Sequence, residues 1–177
     1  MHVTTNLGDV STIPGYDGGM SSEPPWLDDQ EQHLWRGWLK LNLELSATLQ
    51  RELQEDAGLS NPDFEVLVHL TDDPEGRIRV TDLAGLLRWE RSRVSHHVKR
   101  MEGRGLVERA ECPEDGRGAF IAITAEGRAA IERAAPGHVR AVRRLMFDVL
   151  GAEEVRTLSR LVDKLLERQE PCALETS

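Results

Sequence analysis

The sequence predicts a mainly α-helical protein with one small β-hairpin. Three observations carry this. Long apolar stripes at helical spacing occupy both ends of the 177-residue chain. Two short helical segments, separated by a tight link, lie between Thr81 and Arg104. Two strand-like runs, LVERAE and AFIAIT, follow them and are joined by PEDGRG.

Taken in order, residues 1–25 are rich in Gly, Ser, Thr and Pro and show no period. Such a segment cannot bury enough surface to offset its ordering entropy, so it is expected to be a flexible tail. An arm that orders on a partner subunit or on DNA is the rival reading, weakened by the lack of basic residues. A long helix is expected from about Leu27 to Asp56. Leu34, Trp38, Leu41, Leu45, Leu49 and Leu53 form one stripe, and Trp35 and Leu39 widen it. That face is broader than one flank of a small domain needs, and a subunit interface explains it better than a single-chain core. Asn61-Pro62 opens the next helix, with Ser60 or Asn61 as cap and Phe64, Leu67, Val68 and Leu70 turned inward. TDDPEGR breaks it. Arg77 to Arg79 reads as a short strand pairing near the hairpin, and Thr81 as the N-cap of the DLAGLL helix.

The second short helix, Arg91 to about Arg104, has two unlike faces. Val94, Val98 and Met101 share one side and should meet the core. Ser92, His96 and Lys99 fall opposite, at about 100° per residue, flanked by Arg93, Ser95 and Arg100. Gly105 suits the left-handed residue that ends a helix, with Leu106 returning onto Met101. In the hairpin, Asp115-Gly116 is a tight-turn signal, and Arg117 stands near its tip. Hydroxyl, imidazole and guanidinium groups on a helix, beside an arginine on a β-tip, suit base edges and phosphates in one groove and a narrow A·T minor groove next to it. This is a DNA-reading arrangement. Ser92, Arg93, Ser95, His96 and Lys99 are the candidates for the major groove, Arg91 and Arg100 for phosphates, and Arg117, with Asp115 shaping the tip, for the minor groove.

After the hairpin, Thr124 caps a helix expected to reach about Leu150, with Ile131, Ala135, Val139, Val142, Leu145, Met146 and Val149 inward and a kink or short break at Pro136. Gly151 ends it. A last helix is expected from Ala152 to about Glu170, with Val155, Leu158, Leu161, Val162, Leu165 and Leu166 on one face.

From DLAGLL through RMEGRGLVER, EDGRG and ITAEGR, the chain resembles the winged helix-turn-helix of the MarR family of bacterial transcription regulators, over about Asp28 to Glu170. The resemblance implies a homodimer whose terminal helices interleave, a winged lobe from each subunit on DNA, and repression released by a small, often aromatic, ligand. It also implies a ligand pocket between the dimer helices and the reading lobe, for which Trp35, Trp38 and His69 are the candidates here. Glu90, Trp89 and His96-His97 depart from the family pattern, so the preferred DNA sequence does not carry over. The expected organisation is a tail (1–25), an N-terminal dimerisation helix (26–58), a winged lobe (59–124), C-terminal dimerisation helices (125–170) and a frayed end (171–177). The partners expected are double-stranded DNA with an inverted repeat, a second copy of the chain and a small aromatic effector. A winged-helix module that binds protein rather than DNA is the alternative.

Net charge of −9 at first opposes a nucleic-acid partner. Its distribution does not: Arg88 to Arg109 holds seven Lys or Arg against three acids, a local +4 on a remainder of −13. No phosphate loop, nucleophile elbow, zinc-protease motif or dinucleotide fingerprint is present, so no enzyme and no cofactor are expected. His96 and His97, being adjacent, diverge by about 100° on a helix and do not share a metal there. Cys112 and Cys172 form no paired motif, and Cys112, flanked by Glu111 and Glu114, is expected to be incidental rather than an oxidant sensor. No signal peptide or membrane span is visible, which sets a cytoplasmic expectation.

Overall fold

The computed structural model describes residues 26–111 and 119–168. The chain divides into two compact units, residues 1–40 and 41–177, taken separately below.

The first unit holds the N-terminal part of α1 (Asp29–Ala57). Asp28 starts the helix: its carboxylate accepts the Glu31 amide at 2.8 Å, and Glu31 accepts the Asp28 amide at 2.9 Å. This reciprocal pairing satisfies two amides that otherwise lack partners. Leu34, Trp35, Trp38 and Leu39 are exposed on this stretch.

The second unit contains the rest of α1, then α2 (Asn61–Asp72), β1 (Arg77–Arg79), α3 (Val80–Leu87), α4 (Arg91–Gly103), β2 (Val107–Glu111), β3 (Ala119–Ile123), α5 (Ala125–Val142) and α6 (Ala152–Glu167). The strands form one antiparallel sheet in the order β1-β3-β2. Ile78 pairs with Ile121, and Val107 with Ile123. The alternation of the strands turns Ile78, Val107 and Ile121 into a core shared with Leu67 and Leu70 of α2, Leu83 of α3, and Val94, Val98 and Met101 of α4.

The sheet, the helix-turn-helix and the apolar face of α4 match the sequence expectations. Ser60, not Asn61, caps α2, by a full capping box with Asp63. Three expectations fail in whole or in part. Thr81 does not cap α3. β1 runs straight into that helix, so the cap position falls on Arg79, which makes no side-chain cap bond. Thr81 lies in the first turn, and its hydroxyl bonds Asp82 at 3.1 Å. Nor is there a break at Pro136, the second form of the kink or short break expected there: α5 stays helical from Ala125 to Val142. Pro136 is exposed, so water can satisfy the carbonyl that its missing N–H abandons. The irregularity comes later, as a π-helical turn over Arg143–Phe147. Finally, α5 buries a small-residue face, Gly127, Ala130, Ala134, Gly137 and Ala141 with Ile131, while Val139 and Val149 are exposed. Small side chains let the helix backbone approach its neighbours closely, so the bulky aliphatics point elsewhere.

Candidate nucleic-acid interface

The site is α4 and what holds it. Its inner side is buried at Val94, His97, Val98 and Met101. Its outer side exposes Arg91, Ser92, Arg93, His96, Lys99 and Arg100, and Ser95 is half-buried. The structure thus brings seven of the nine sequence-level candidates onto one helix. The other two, Asp115 and Arg117, lie outside the described residues, as does Cys112.

The turn before α4 is closed by α3. The Arg88 amide bonds Gly85 O at 3.1 Å, and the Trp89 amide bonds Ala84 O at 3.0 Å. This is a Schellman stop, with Arg88 in the left-handed region at φ 51°. Glu90 stands at the N-cap of α4 without a side-chain cap bond.

The far end of α4 is closed in the same way. Gly105 has φ 72°, its amide bonds Glu102 O at 2.9 Å, and the Leu106 amide bonds Met101 O at 3.0 Å. The Thr124 hydroxyl donates to Gly105 O at 2.6 Å and accepts from the Gly127 amide at 3.0 Å. A Cβ on Gly127 would lie 2.1 Å from Leu106 O. The segment ITAEGR is therefore a clasp: its threonine starts α5, and its glycine lets α5 press against the corner where α4 ends.

A buried ionic cluster underneath escaped the sequence reading. His97 Nε2 lies 3.0 Å from Asp63 Oδ1, and both side chains are almost fully buried. Arg104 donates to Asp63 Oδ2 at 2.7 Å and to Gly58 O at 2.6 Å. Arg100 approaches His97 Nδ1 at 2.8 Å. A guanidinium can only donate, so Nδ1 accepts, and Nε2 faces Asp63 at ion-pair distance. Burial opposes ionisation of Asp63. Hydrogen bonds from His97, the Ser60 amide, Arg104 and the Ser60 hydroxyl outweigh it, and hold the carboxyl well below the usual carboxylate range. Asp63 thus ties the first turn of α2 to the middle and the end of α4. One signal was available: His97 falls on the same helical side as Val94, Val98 and Met101, where an imidazole needs a buried partner.

The basic residues of the segment divide by this geometry. Arg104 is committed to the cluster, and Arg109 leans on Ser95 O at 3.4 Å and Glu102 at 3.8 Å. Arg93 stacks over Trp89, with its guanidinium carbon 4.1 Å from the ring centre. Among the described residues, no ion pair engages Arg91 or Lys99.

Trp35 and Trp38 are exposed on α1, and His69 is half-buried on α2. Two shallow grooves have other linings: Asp29, His33, Arg36 and Lys40 in the first unit, and Leu41, Leu45, Arg51 and Leu145 in the second. No group of His, Cys, Asp and Glu among the described residues could hold a metal ion, and no described helix is long and apolar enough to cross a membrane.

The MarR family model matches residues 57–118, from the end of α1 to the hairpin. The chain is similar in structure to Sco3205, a MarR family transcriptional regulator from Streptomyces coelicolor solved in complex with DNA. Identity is 40%, the match covers 86% of this chain and 95% of that one, and the TM-score is 0.80. The chain belongs to the MarR family. Two Bacillus subtilis proteins are also similar. The uncharacterised HTH-type regulator YdgJ is 32% identical over 57% of this chain and 60% of its own length. The HTH-type transcriptional repressor YetL is 29% identical over 63% of this chain and 66% of its own length. The chain thus spans less than two thirds of both curated relatives. As a MarR-family protein it carries the expected winged lobe. Of the positions that depart from the family pattern, His97 meets Asp63 and Trp89 carries the Arg93 stack.

Proposed function

We propose that this chain is a homodimeric, cytoplasmic transcription repressor that reads an inverted-repeat operator. The carrying observation is the division of α4 into a buried, pinned side and an exposed side of hydroxyl, imidazole and cationic groups. In this reading Ser92, Arg93, Ser95, His96 and Lys99 face base edges in the major groove, and Arg91 and Arg100 meet phosphates. Arg117, held by a tip that Asp115 shapes, enters the minor groove. The DNA complex of Sco3205 supports the partner, and the naming of YetL supports repression.

A dimer follows from exposed apolar surface. Leu161, Leu165 and Leu166 of α6 are each more than half exposed, and so are Leu34 and Trp35 of α1. Solvent-facing leucines and tryptophans in such number mark interaction surface. A two-fold pair of reading helices then meets half-sites about one helical turn apart. Release by a small aromatic effector belongs to the same reading, with Trp35, Trp38 and His69 as its contacts.

Selection from a random duplex pool at moderate salt tests this. Enrichment of an inverted repeat, bound with affinity that falls steeply as salt rises, is the expected result. A folded dimer that enriches nothing would move the assignment to a protein-binding winged helix.

A further inference from the structure

We propose that Trp89 is a positioning residue for DNA reading, which holds the Arg93 guanidinium in place and so sets the base preference of that arginine. The inference rests on the DNA-reading proposal above.

Trp89 occupies the turn between the two helices, and three contacts fix it. Its amide closes α3 through Ala84 O at 3.0 Å. Its ring packs against the core, half-buried. The His97 imidazole meets the indole in a T-shaped contact, with centroids 5.4 Å apart and planes at 87°. His97 is itself held by Asp63. The indole is therefore anchored to the buried core and to the His97–Asp63 pair.

Arg93 lies over this ring at 4.1 Å, in the first turn of α4, on the exposed side. An aliphatic side chain would fill the same space against the core, but it would offer no π face to a cation. Stacking attracts the guanidinium without using any N–H donor. The planar fork is thus oriented while its donors remain for a base edge, where bidentate geometry gives discrimination. A long arginine loses rotamer freedom when it docks. Trp89 takes that loss before DNA arrives, which favours the duplex that matches the held orientation over any other.

The test is a mutant cycle on the duplex enriched by selection and on a scrambled duplex of equal length, at one salt concentration. The variants are Trp89→Met, Trp89→Phe, Arg93→Ala and the Trp89→Met/Arg93→Ala double, with thermal unfolding of each recorded. Trp89→Met is expected to lose about tenfold on the enriched duplex and little on the scrambled one. Trp89→Phe, which restores a ring, should recover most of that loss. In the Arg93→Ala background, Trp89→Met should cost nothing further. Equal losses on both duplexes, or a loss undiminished without Arg93, would overturn the inference and leave Trp89 a packing residue. If Trp89→Met does not fold, the cycle is run with Trp89→Phe, whose two- to threefold loss must likewise vanish in the Arg93→Ala background. Wild-type protein that does not discriminate the duplexes would refute DNA reading itself, a result separate from any outcome at Trp89.

Discussion

The winged lobe and α6 are both rich in leucine and valine, yet they treat those side chains in opposite ways. In the lobe, Leu67, Leu70, Leu83, Val94, Val98, Met101 and Ile121 are sealed from water. In α6 no residue is buried, and Leu161 and Leu165 are 54% and 60% exposed. The lobe is a core complete in one chain. α6 is an amphipathic helix whose Leu161, Leu165 and Leu166 stay more than half exposed in a single chain. Stability of the monomer should therefore reside in the lobe, and stability that depends on concentration should reside in the terminal helices.

The sharpest way to break that comparison is at Asp63. Asp63→Ala removes a capping box and leaves His97 and Arg104 without their shared acceptor. It should cost about 3–5 kcal/mol in denaturant unfolding, whatever the protein concentration. The acid limb carries the same information. The folded-state pKa of Asp63 lies below its unfolded value, so its contribution is present above about pH 4 and is lost as pH falls through the depressed folded value. Asp63→Asn should flatten that loss in stability–pH curves. A mutant curve parallel to wild type down to the lowest accessible pH would remove the cluster from the account of lobe stability.

Leu165→Ala probes the other side. In a dimer that covers this leucine, the substitution should weaken association by roughly 1.5–3 kcal/mol. It should leave unfolding of the isolated chain within about 0.5 kcal/mol of wild type. Sedimentation at several concentrations measures the first quantity. An unchanged monomer–dimer equilibrium would mean that this face of α6 meets something other than a second copy.

These two regions were also unequally legible in the sequence. The stripe Val94–Val98–Met101, the Gly105 stop and the Thr124 cap rest on local rules, period and turn chemistry, and they appear in the structure as read. The Asp63–His97 pair joins residues in different helices, and no local pattern links them. Thr81 misled because a threonine before an apolar run looks like a cap. The preceding strand, whose pairing with β3 is non-local, decides where the helix starts. On α5 the period was right and Ile131 is buried as read, but the face is centred on small residues and Val139 is exposed. Ala130, Ala134 and Ala141 signal burial more weakly than Val139, yet they are the ones that face the core. On α1 and α6 the stripes announced burial, and a single chain leaves most of them open.

The wing separates folding from reading. Arg117→Ala should weaken operator binding by about 1–3 kcal/mol, mainly on duplexes with A·T-rich flanks, with the unfolding midpoint unmoved. Binding assays on flank variants decide this. Equal affinity on every flank would take the wing out of the reading mechanism and leave it to α4.

The smallest expected effect compares two helix starts. α5 begins at Thr124, whose hydroxyl accepts the Gly127 amide and donates to Gly105 O, so one side chain both starts α5 and fastens the end of α4. α6 begins at Gly151, which has no side chain to offer, and its amide donates to the Glu154 carboxylate at 2.7 Å on an exposed surface. Thr124→Ala should cost about 1–2 kcal/mol, at the upper end for a cap, because two bonds are lost beside the buried corner at Leu106. Glu154→Ala should cost at most about 0.5 kcal/mol, since water replaces the lost acceptor. Thr124→Ser keeps the hydroxyl and should stay close to wild type. If Thr124→Ala and Glu154→Ala prove equal in unfolding experiments, the clasp adds nothing beyond an ordinary cap. The position of α4 would then depend on the Asp63 cluster and the core alone.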